Sequence, residues 1–209
     1  MPRISEKTWA KRREHVLTSA WGCFSRNGFH ATSMDEVIAA TGMSSSAVYR
    51  YFRSKEELID ATAEAGLALV VDIFVRLLEV RPTPSPTQTL SVLVDELHGR
   101  TENPDYDLSR IAVQIWSEAL RRPPLREHAR VLYDEAHQRL SELTTRWKED
   151  GHLPPEADTK ATASVVFALM HGMIVSHHLA SDLTLETLSR GMSDLGAALG
   201  PGEAKIQGA

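Results

Sequence analysis

The stretch that decides the fold is TSMDEVIAATGMSSSAVYRYF, residues 32–52. Ser33 opens the tetrapeptide SMDE, a capping box that begins a short helix. Gly42 ends that helix, since glycine adopts the left-handed backbone of a tight turn without steric cost. Ser44 is then placed to cap a second short helix that runs to about residue 52. Two short helices joined by a glycine turn predict a helix-turn-helix motif.

The polar residues of this motif are of the kinds that contact DNA. The second helix of such a motif enters the major groove with its N-terminus first, so hydroxyls and cations near its start face phosphates and base edges. The candidate DNA contacts are Thr32, Ser33, Ser44, Ser45, Ser46, Tyr49, Arg50, Tyr51 and Lys55. Serines at a helix start often serve only as caps, and tyrosines also serve as packing residues, so a purely structural role is the alternative for each.

Charge is distributed unevenly along the chain, whose net charge is −5. Residues 1–55 hold nine Lys or Arg and four Asp or Glu, which gives +5 there and leaves −10 for the remainder. A basic segment on an acidic body indicates a protein that meets phosphate with one end. The basic run Lys11, Arg12 and Arg13 is either a further phosphate contact or a solvated helix face.

The rest of the chain has apolar residues at helical spacing and almost no strand signals. The expected helices span about 6–27, 33–42, 45–52, 55–80, 86–98, 107–121, 124–150, 158–180 and 184–199. The sequence therefore predicts an all-α protein of about nine helices. We expect a DNA-binding domain over residues 1–55, a helical ligand-binding and dimerisation domain over 56–200, and a flexible tail over 201–209.

Composition favours a cytoplasmic protein without a membrane partner. The single cysteine, Cys23, excludes an internal disulfide and fits a reducing compartment. The N-terminus has no apolar segment of the secretory type. The longest uncharged apolar run, residues 161–175, is shorter than the ~20 residues that a membrane-spanning helix needs.

The motif resembles the helix-turn-helix of the TetR family of transcriptional repressors. The resemblance lies in FSRNGFHATSMDEVIAATG, residues 24–42, and MSSSAVYRYFRSKEEL, residues 43–58, and extends over about residues 10–70. It implies a bacterial homodimer that binds a palindromic DNA operator near the nucleoid. It also implies a small organic effector that binds in the C-terminal body and releases the protein from DNA. No cofactor and no metal are expected.

The resemblance also suggests roles by position. Tyr49 and Lys55 match phosphate-contacting positions, and Tyr51 matches a position that also faces the backbone. Base contacts are usual at the positions of Ser45, Ser46 and Arg50. The family often has lysine, arginine or proline at the first of these and glycine at the second. Without a long donor at residue 45, bidentate recognition of guanine is lost there, and specificity depends more on Arg50 and on DNA shape.

The C-terminal body supplies candidates for a pocket and a dimer interface. Aromatic, methionine and histidine side chains typical of adaptable pockets are Trp116, Tyr133, His137, Trp147, Phe167, Met170 and His171. Ordinary cores use the same residues. Apolar positions on the last two helices predict the dimer interface, namely Val165, Leu169, Gly172, Leu185, Leu188, Met192, Leu195 and Leu199. The alternative is that this apolar strip closes a monomeric bundle.

Two other functions compete with a ligand-responsive repressor. An all-helical enzyme is disfavoured because the sequence has no G-x-S-x-G, H-E-x-x-H, C-x-x-C or phosphate-binding glycine loop. His171 and His178 lie two helical turns apart, which is too far to share one metal ion, so core or interface histidines are expected. A DNA-binding architectural protein without an effector is the second alternative, and its body would have no cavity.

Overall fold

The computed structural model describes residues 5–101 and 103–179 and the single positions 187, 190, 191 and 194, with the side chains of 97, 98, 100 and 101 excepted. Eight helices and no strand are found in residues 5–101 and 103–179, which confirms the predicted all-α class. They are α1 (Glu6–Ala31), α2 (Met34–Thr41), α3 (Ser45–Val48), α4 (Lys55–Glu79), α5 (Pro86–Thr101), α6 (Leu108–Arg121), α7 (Pro123–Glu149) and α8 (Thr159–Leu179). The ninth predicted helix, 184–199, and the tail, 201–209, lie outside the described residues, those single positions excepted.

Local signals set the helix ends near the motif. Ser33 accepts a hydrogen bond from Glu36 N, and the Glu36 carboxylate accepts one from Ser33 N at 2.7 Å, so the capping box is complete. Gly42 follows α2 in the left-handed region, with φ 64°. Gly28 lies inside α1 with φ 83° and ψ 162°. This backbone conformation is not helical, so the regular helix ends near residue 27 as predicted, and a further helical turn to Ala31 follows the kink at this glycine.

The second helix of the motif is shorter than predicted. α3 ends at Val48, and turns rather than helix carry the chain to Phe52. Both of these side chains are fully buried in the same core, which fixes the path of the chain between them. Ser44 is the N-cap residue of α3, as predicted, but its side chain makes no capping hydrogen bond and its Oγ lies 3.3 Å from Ser46 Oγ.

Two hydrophobic clusters lie along α4. The first joins α1, α2, α3 and the start of α4 to Ile111, Ile115 and Leu125 of α6 and α7. The second fills the space among α4, α5, α7 and α8. We call α1–α3 the head and α5–α8 the body, and α4 contributes to the core of both. α6 and, through Leu125, α7 also reach the core of the head, so three helices rather than one linker connect the two parts.

α8 buries one side only. Ala163, Val166, Met170 and Met173 are buried, while Val165 and Leu179 are exposed. By length and composition alone this helix is apolar enough to cross a membrane. It packs against α7 as part of the second cluster, however, and one such helix does not indicate a membrane protein. Its exposed apolar side needs another explanation.

Candidate DNA interface and ligand cavity

The start of α3 presents polar side chains to solvent. Ser44, Ser45, Ser46 and Arg50 are exposed, and Tyr49 is 42% exposed. The buried residues between and after them hold this short segment against the head, so five of the nine predicted contacts share one surface. We call this set of five residues the α3 surface.

Two predicted contacts lie inside the protein instead. Thr32 is only 1% exposed, and its Oγ1 donates to Gly28 O at 2.8 Å. Tyr51 is 5% exposed, and its ring centroid lies 5.4 Å from that of Trp9. Within the described residues the Tyr51 hydroxyl has no hydrogen-bond partner. Burial corrects the expectation that these two side chains contact phosphate, since they pack the head from within.

Ser33 and Lys55 are engaged within the head. The Ser33 hydroxyl accepts from Glu36 N and donates to the Glu36 carboxylate. The hydrogen bonds that this carboxylate accepts from Ser33 N and from the Ser33 hydroxyl lower the pKa of Glu36. Lys55 Nζ donates to His30 O at 3.1 Å and to Thr32 O at 3.0 Å. The ammonium thus ties the start of α4 to the end of α1, and phosphate contact by Lys55 stays a prediction.

The first half of α1 adds cations to this side of the head. His15 Nε2 hydrogen-bonds Thr41 O at 2.9 Å, and the Arg13 guanidinium lies 4.7 Å from the centroid of the Phe52 ring. These contacts place α1 beside the helix-turn-helix. Lys11 and Arg12 are exposed on the same helix. Arg13 is therefore a packing residue, whereas its two neighbours remain candidates for phosphate contact.

A cavity of about 110 Å³ lies in the body, enclosed by α4, α5, α6, α7 and α8. Its walls are mostly aliphatic. Five of the seven predicted pocket residues line it, namely Trp116, Tyr133, Phe167, Met170 and His171. Sequence reasoning missed the contribution of α4, which includes Gly66 and Val70. The apolar stripe of α4 gave no signal that distinguishes cavity from core.

The other two predicted pocket residues lie elsewhere. His137 Nε2 hydrogen-bonds Ser164 Oγ at 2.9 Å between α7 and α8. Trp147 is buried in the second cluster, where its indole N–H donates to Pro84 O at 2.7 Å. Both belong to contacts between structural elements, and the prediction that they line the pocket is wrong.

The polar residues of the cavity form a hydrogen-bonded chain. The Tyr133 hydroxyl lies 2.8 Å from His171 Nε2, and the Trp116 ring centroid lies 4.9 Å from that of His171. His171 Nδ1 in turn lies 2.7 Å from Phe167 O. Burial raises the pKa of Tyr133 to about 12, partly offset by the neighbouring Trp116 indole. The phenol therefore stays neutral across the physiological pH range.

The predicted dimer interface is described only in part. Val165 is 58% exposed, Gly172 is exposed and Leu169 is half-buried, so the α8 positions lie on its open side. The remaining predicted interface residues, Leu185, Leu188, Met192, Leu195 and Leu199, lie outside the described residues. Of this predicted interface, the described residues include only the apolar strip on α8.

α6 links the cavity to the head. Ala112, Ile115 and Trp116 face the cavity, while Gln114 reaches α1. Gln114 Nε2 donates to Phe24 O at 3.1 Å, and its Oε1 accepts from Phe29 N at 2.7 Å. These two backbone groups lie on either side of the Gly28 kink. We call this pair of hydrogen bonds the Gln114 bridge.

Further polar contacts surround the Gln114 bridge. The nearly buried carboxylate of Glu118 pairs with Arg121 and with His30, whose Nε2 lies 3.0 Å away. Arg122 pairs with Asp60 of α4 at 2.8 Å. The polar side of α6 therefore contacts α1 and α4. From the sequence alone, the same residues would be taken for a solvent-exposed helix face.

The comparisons with known proteins agree with this arrangement. The family model described as bacterial regulatory proteins, tetR family, matches residues 16–62. The C-terminal model of BetI-type transcriptional repressors matches residues 86–198, which is more than half of the chain. The chain belongs to the TetR family of bacterial transcriptional regulators. Members of this family are cytoplasmic DNA-binding regulators that bind operators and small effectors, typically as dimers.

Individual relatives support the same family. YfiR of Bacillus subtilis, an uncharacterised helix-turn-helix transcriptional regulator, is 28% identical over 182 residues, which cover 87% of this chain and 86% of YfiR. The structure of GusR from Salmonella enterica matches with a TM-score of 0.68 at 26% identity, covering 91% of this chain and 96% of GusR. A transcriptional regulator of Saccharomonospora viridis in complex with choline matches with a TM-score of 0.68 at 18% identity, covering 89% and 95% of the two chains, and shares the fold alone.

Proposed function

We propose that this regulator is a repressor that binds a palindromic operator as a homodimer and leaves it when a small organic effector enters the cavity. The observation that carries the proposal is the double role of α6, which lines the cavity on one side and holds α1 through the Gln114 bridge on the other. A change in the cavity wall therefore acts directly on the head.

The α3 surface would read the operator. Arg50 is its one long donor and would contact a base edge in the major groove. Tyr49 and the exposed cations Lys11 and Arg12 would contact phosphates on either side. Because serines occupy the start of α3, much of the remaining specificity would come from the shape of the DNA rather than from direct hydrogen bonds.

A dimer would form through α8. Its exposed apolar strip resembles a subunit interface in composition, and a twofold interface buries the same patch of both copies. Two heads would then be held at a fixed separation of ~34–36 Å, or a multiple, which matches successive major grooves. The operator of such a dimer is an inverted repeat.

Release would follow from a change in head separation. A ligand that fits better when α4 and α6 have moved shifts the population towards that state. Since Gln114 holds both sides of the Gly28 kink, a movement of α6 would turn α1 about this point. The two heads would then no longer match two grooves at once, and the operator affinity would fall.

Selection of binding sites from randomised duplexes with the purified full chain tests the proposal. We expect an inverted repeat, bound with an affinity that falls steeply as the salt concentration rises. Sequencing gives the half-site spacing, and sedimentation of the complex gives the number of subunits. Weak binding without sequence preference would contradict the proposal for the head, and a monomer on DNA would contradict the proposal for α8.

A further inference from the structure

The polar side chains that line the cavity decide which ligands it can bind. Six side chains on its wall carry a polar group, namely Thr62, Glu96, Ser109, Trp116, Tyr133 and His171. Three of these have hydrogen-bond partners other than Tyr133 and His171. Thr62 Oγ1 donates to Leu58 O at 2.7 Å. Glu96 accepts from Arg76 at 2.7 Å. Ser109 Oγ donates to Asp107 at 2.6 Å.

Two of the remaining three polar groups pair with each other in one direction. His171 Nδ1 must carry hydrogen because Phe167 O can only accept. In the neutral imidazole Nε2 is then an acceptor, so the Tyr133 hydroxyl donates to it. The third, the Trp116 indole, can only donate. The hydroxyls, the carboxylate and the imidazole of the described wall are therefore already engaged within the protein.

Such a wall offers little to a polar ligand. A charged group that enters would lose its water without gaining a partner, which is strongly unfavourable in an apolar site. A neutral hydroxyl is disfavoured in the same way, though less so. Apolar cavities of about 150 Å³ admit a benzene-sized molecule, and this one is about 110 Å³. The volume fits a ligand of about one ring, and larger molecules need the surrounding helices to move.

We infer that the cavity takes a small, neutral, predominantly apolar organic molecule of about one ring, and that its aliphatic wall and the mutually hydrogen-bonded Tyr133 and His171 disfavour charged and hydroxylated compounds of equal size. This inference rests on the proposed function for its role as an effector site. The binding specificity itself stands on the wall chemistry and is measured without DNA.

A quaternary ammonium ion is the strongest competing ligand class, because aromatic faces attract cations. The aromatic rings of this wall pack against each other. Phe167 lies edge-on to Tyr133 and to His171, at centroid distances of 5.4 and 4.8 Å, and Trp116 lies 4.9 Å from His171. The ring contacts leave less aromatic surface for a cation, and the Glu96 carboxylate already pairs with Arg76.

Four probes of equal heavy-atom number separate these classes, namely toluene, phenol, choline and pentanoate. Titration calorimetry on the full chain is expected to give toluene a dissociation constant on the order of 0.1 mM. Phenol is expected to bind at least tenfold more weakly, and the two ions to show no binding. Tighter binding of choline or pentanoate than of toluene would overturn the inference, and so would no binding of toluene.

Three variants assign the binding to this cavity. Ala112→Leu fills the space from α6 and should abolish toluene binding, whereas Val113→Leu, on the exposed side of the same helix, should leave it unchanged. Tyr133→Phe frees the imidazole Nε2. The preference for toluene over phenol should then shrink severalfold, which a merely structural tyrosine would not cause. An unchanged ratio in a folded Tyr133→Phe protein would contradict the role of the Tyr133–His171 pair.

A second measurement keeps this inference apart from the proposed function. Operator binding is followed by fluorescence anisotropy with and without saturating toluene. Binding of toluene without release of DNA would leave the specificity of the cavity standing and refute the effector role. Release by an ionic probe that competes with toluene for the cavity would refute the specificity and leave the effector role standing.

Discussion

The α3 surface and the cavity use similar side chains in opposite ways. On the α3 surface the hydroxyls and Tyr49 point into solvent, where a duplex can take the place of water. In the cavity the Tyr133 hydroxyl donates its hydrogen to His171, so this hydrogen is not available to a ligand. A site for a charged polymer keeps donors available, whereas a site for an apolar molecule removes them. Exposure, rather than residue type, therefore separates the two sites.

The same substitution in the two tyrosines gives the largest test of this difference. Tyr133→Phe leaves the His171 nitrogen without its partner in a half-buried site, which should lower the free energy of unfolding by about 2 kcal/mol. The melting temperature should fall by roughly 6 °C. Tyr49→Phe should leave the melting temperature unchanged and weaken operator binding roughly fivefold. Equal losses of stability in the two variants would mean that the hydrogen bond of Tyr133 in the cavity does not account for its contribution to stability.

Arg50 tests the DNA side of the comparison alone. Arg50→Ala should cost about 2 kcal/mol on the selected operator, or roughly thirtyfold in affinity, if its guanidinium reads a base. Binding to a scrambled duplex should fall much less, and toluene binding should not change. Lys11→Ala is the matched control, because loss of a phosphate contact should weaken both duplexes alike. A proportional loss on both duplexes for Arg50→Ala would reassign this residue to the backbone.

The start and the end of α2 were predictable because their causes are local. The Ser33 capping box and the Gly42 turn depend on residues within four positions of each other, so the sequence carries the whole interaction. The Asp107 cap at the start of α6 is of the same kind. The helix end near residue 27 was predictable from Gly28, whereas the further helical turn to Ala31 was not expected.

Residues whose role depends on tertiary contacts were assigned less well. Thr32 and Tyr51 have the chemistry of phosphate contacts, but the packing of the head buries both. Trp147 has the chemistry of a pocket residue, yet its indole binds the carbonyl of Pro84, 63 positions away. The Gln114 bridge joins groups 85 and 90 positions apart, and no periodicity marks it. Only the three-dimensional structure shows that α6 contacts both the cavity and the head.

Gln114 tests the connection between the two sites. Gln114→Ala removes two hydrogen bonds to α1 and should lower the free energy of unfolding by about 1 kcal/mol. Its main effect should be on coupling, because a ligand that binds with unchanged affinity would release less DNA. The ratio of operator affinities with and without toluene measures this effect. Gln138→Ala, an exposed change on α7, should leave that ratio unchanged. A reduced ligand affinity with intact coupling would place the connection in α4 instead.

The smallest expected effect concerns pH at the edge of the cavity. His178 Nε2 lies 2.7 Å from Ser109 Oγ, whose hydrogen goes to Asp107, so the imidazole donates in this contact. Burial lowers the pKa of His178; Asp107 opposes this lowering, and His177 and Arg110 add to it. The unfolded chain therefore binds the proton more readily than the folded one. The stability that results is present in full above the ordinary histidine pKa and is lost as the pH falls towards the lowered value.

His178→Gln keeps a donor for Ser109 and removes the titration. The fall in melting temperature from about pH 7.5 to about pH 5.5 should be smaller in this variant than in the parent chain. His128→Gln, an exposed change on α7, is the control and should leave the pH dependence as it is. Because the hydrogen bond to Ser109 survives protonation, toluene affinity should hardly change with pH. A marked loss of toluene affinity at acidic pH would mean that the charge of His178 acts on the cavity. This outcome would contradict the inference that the cavity is kept apart from charged groups.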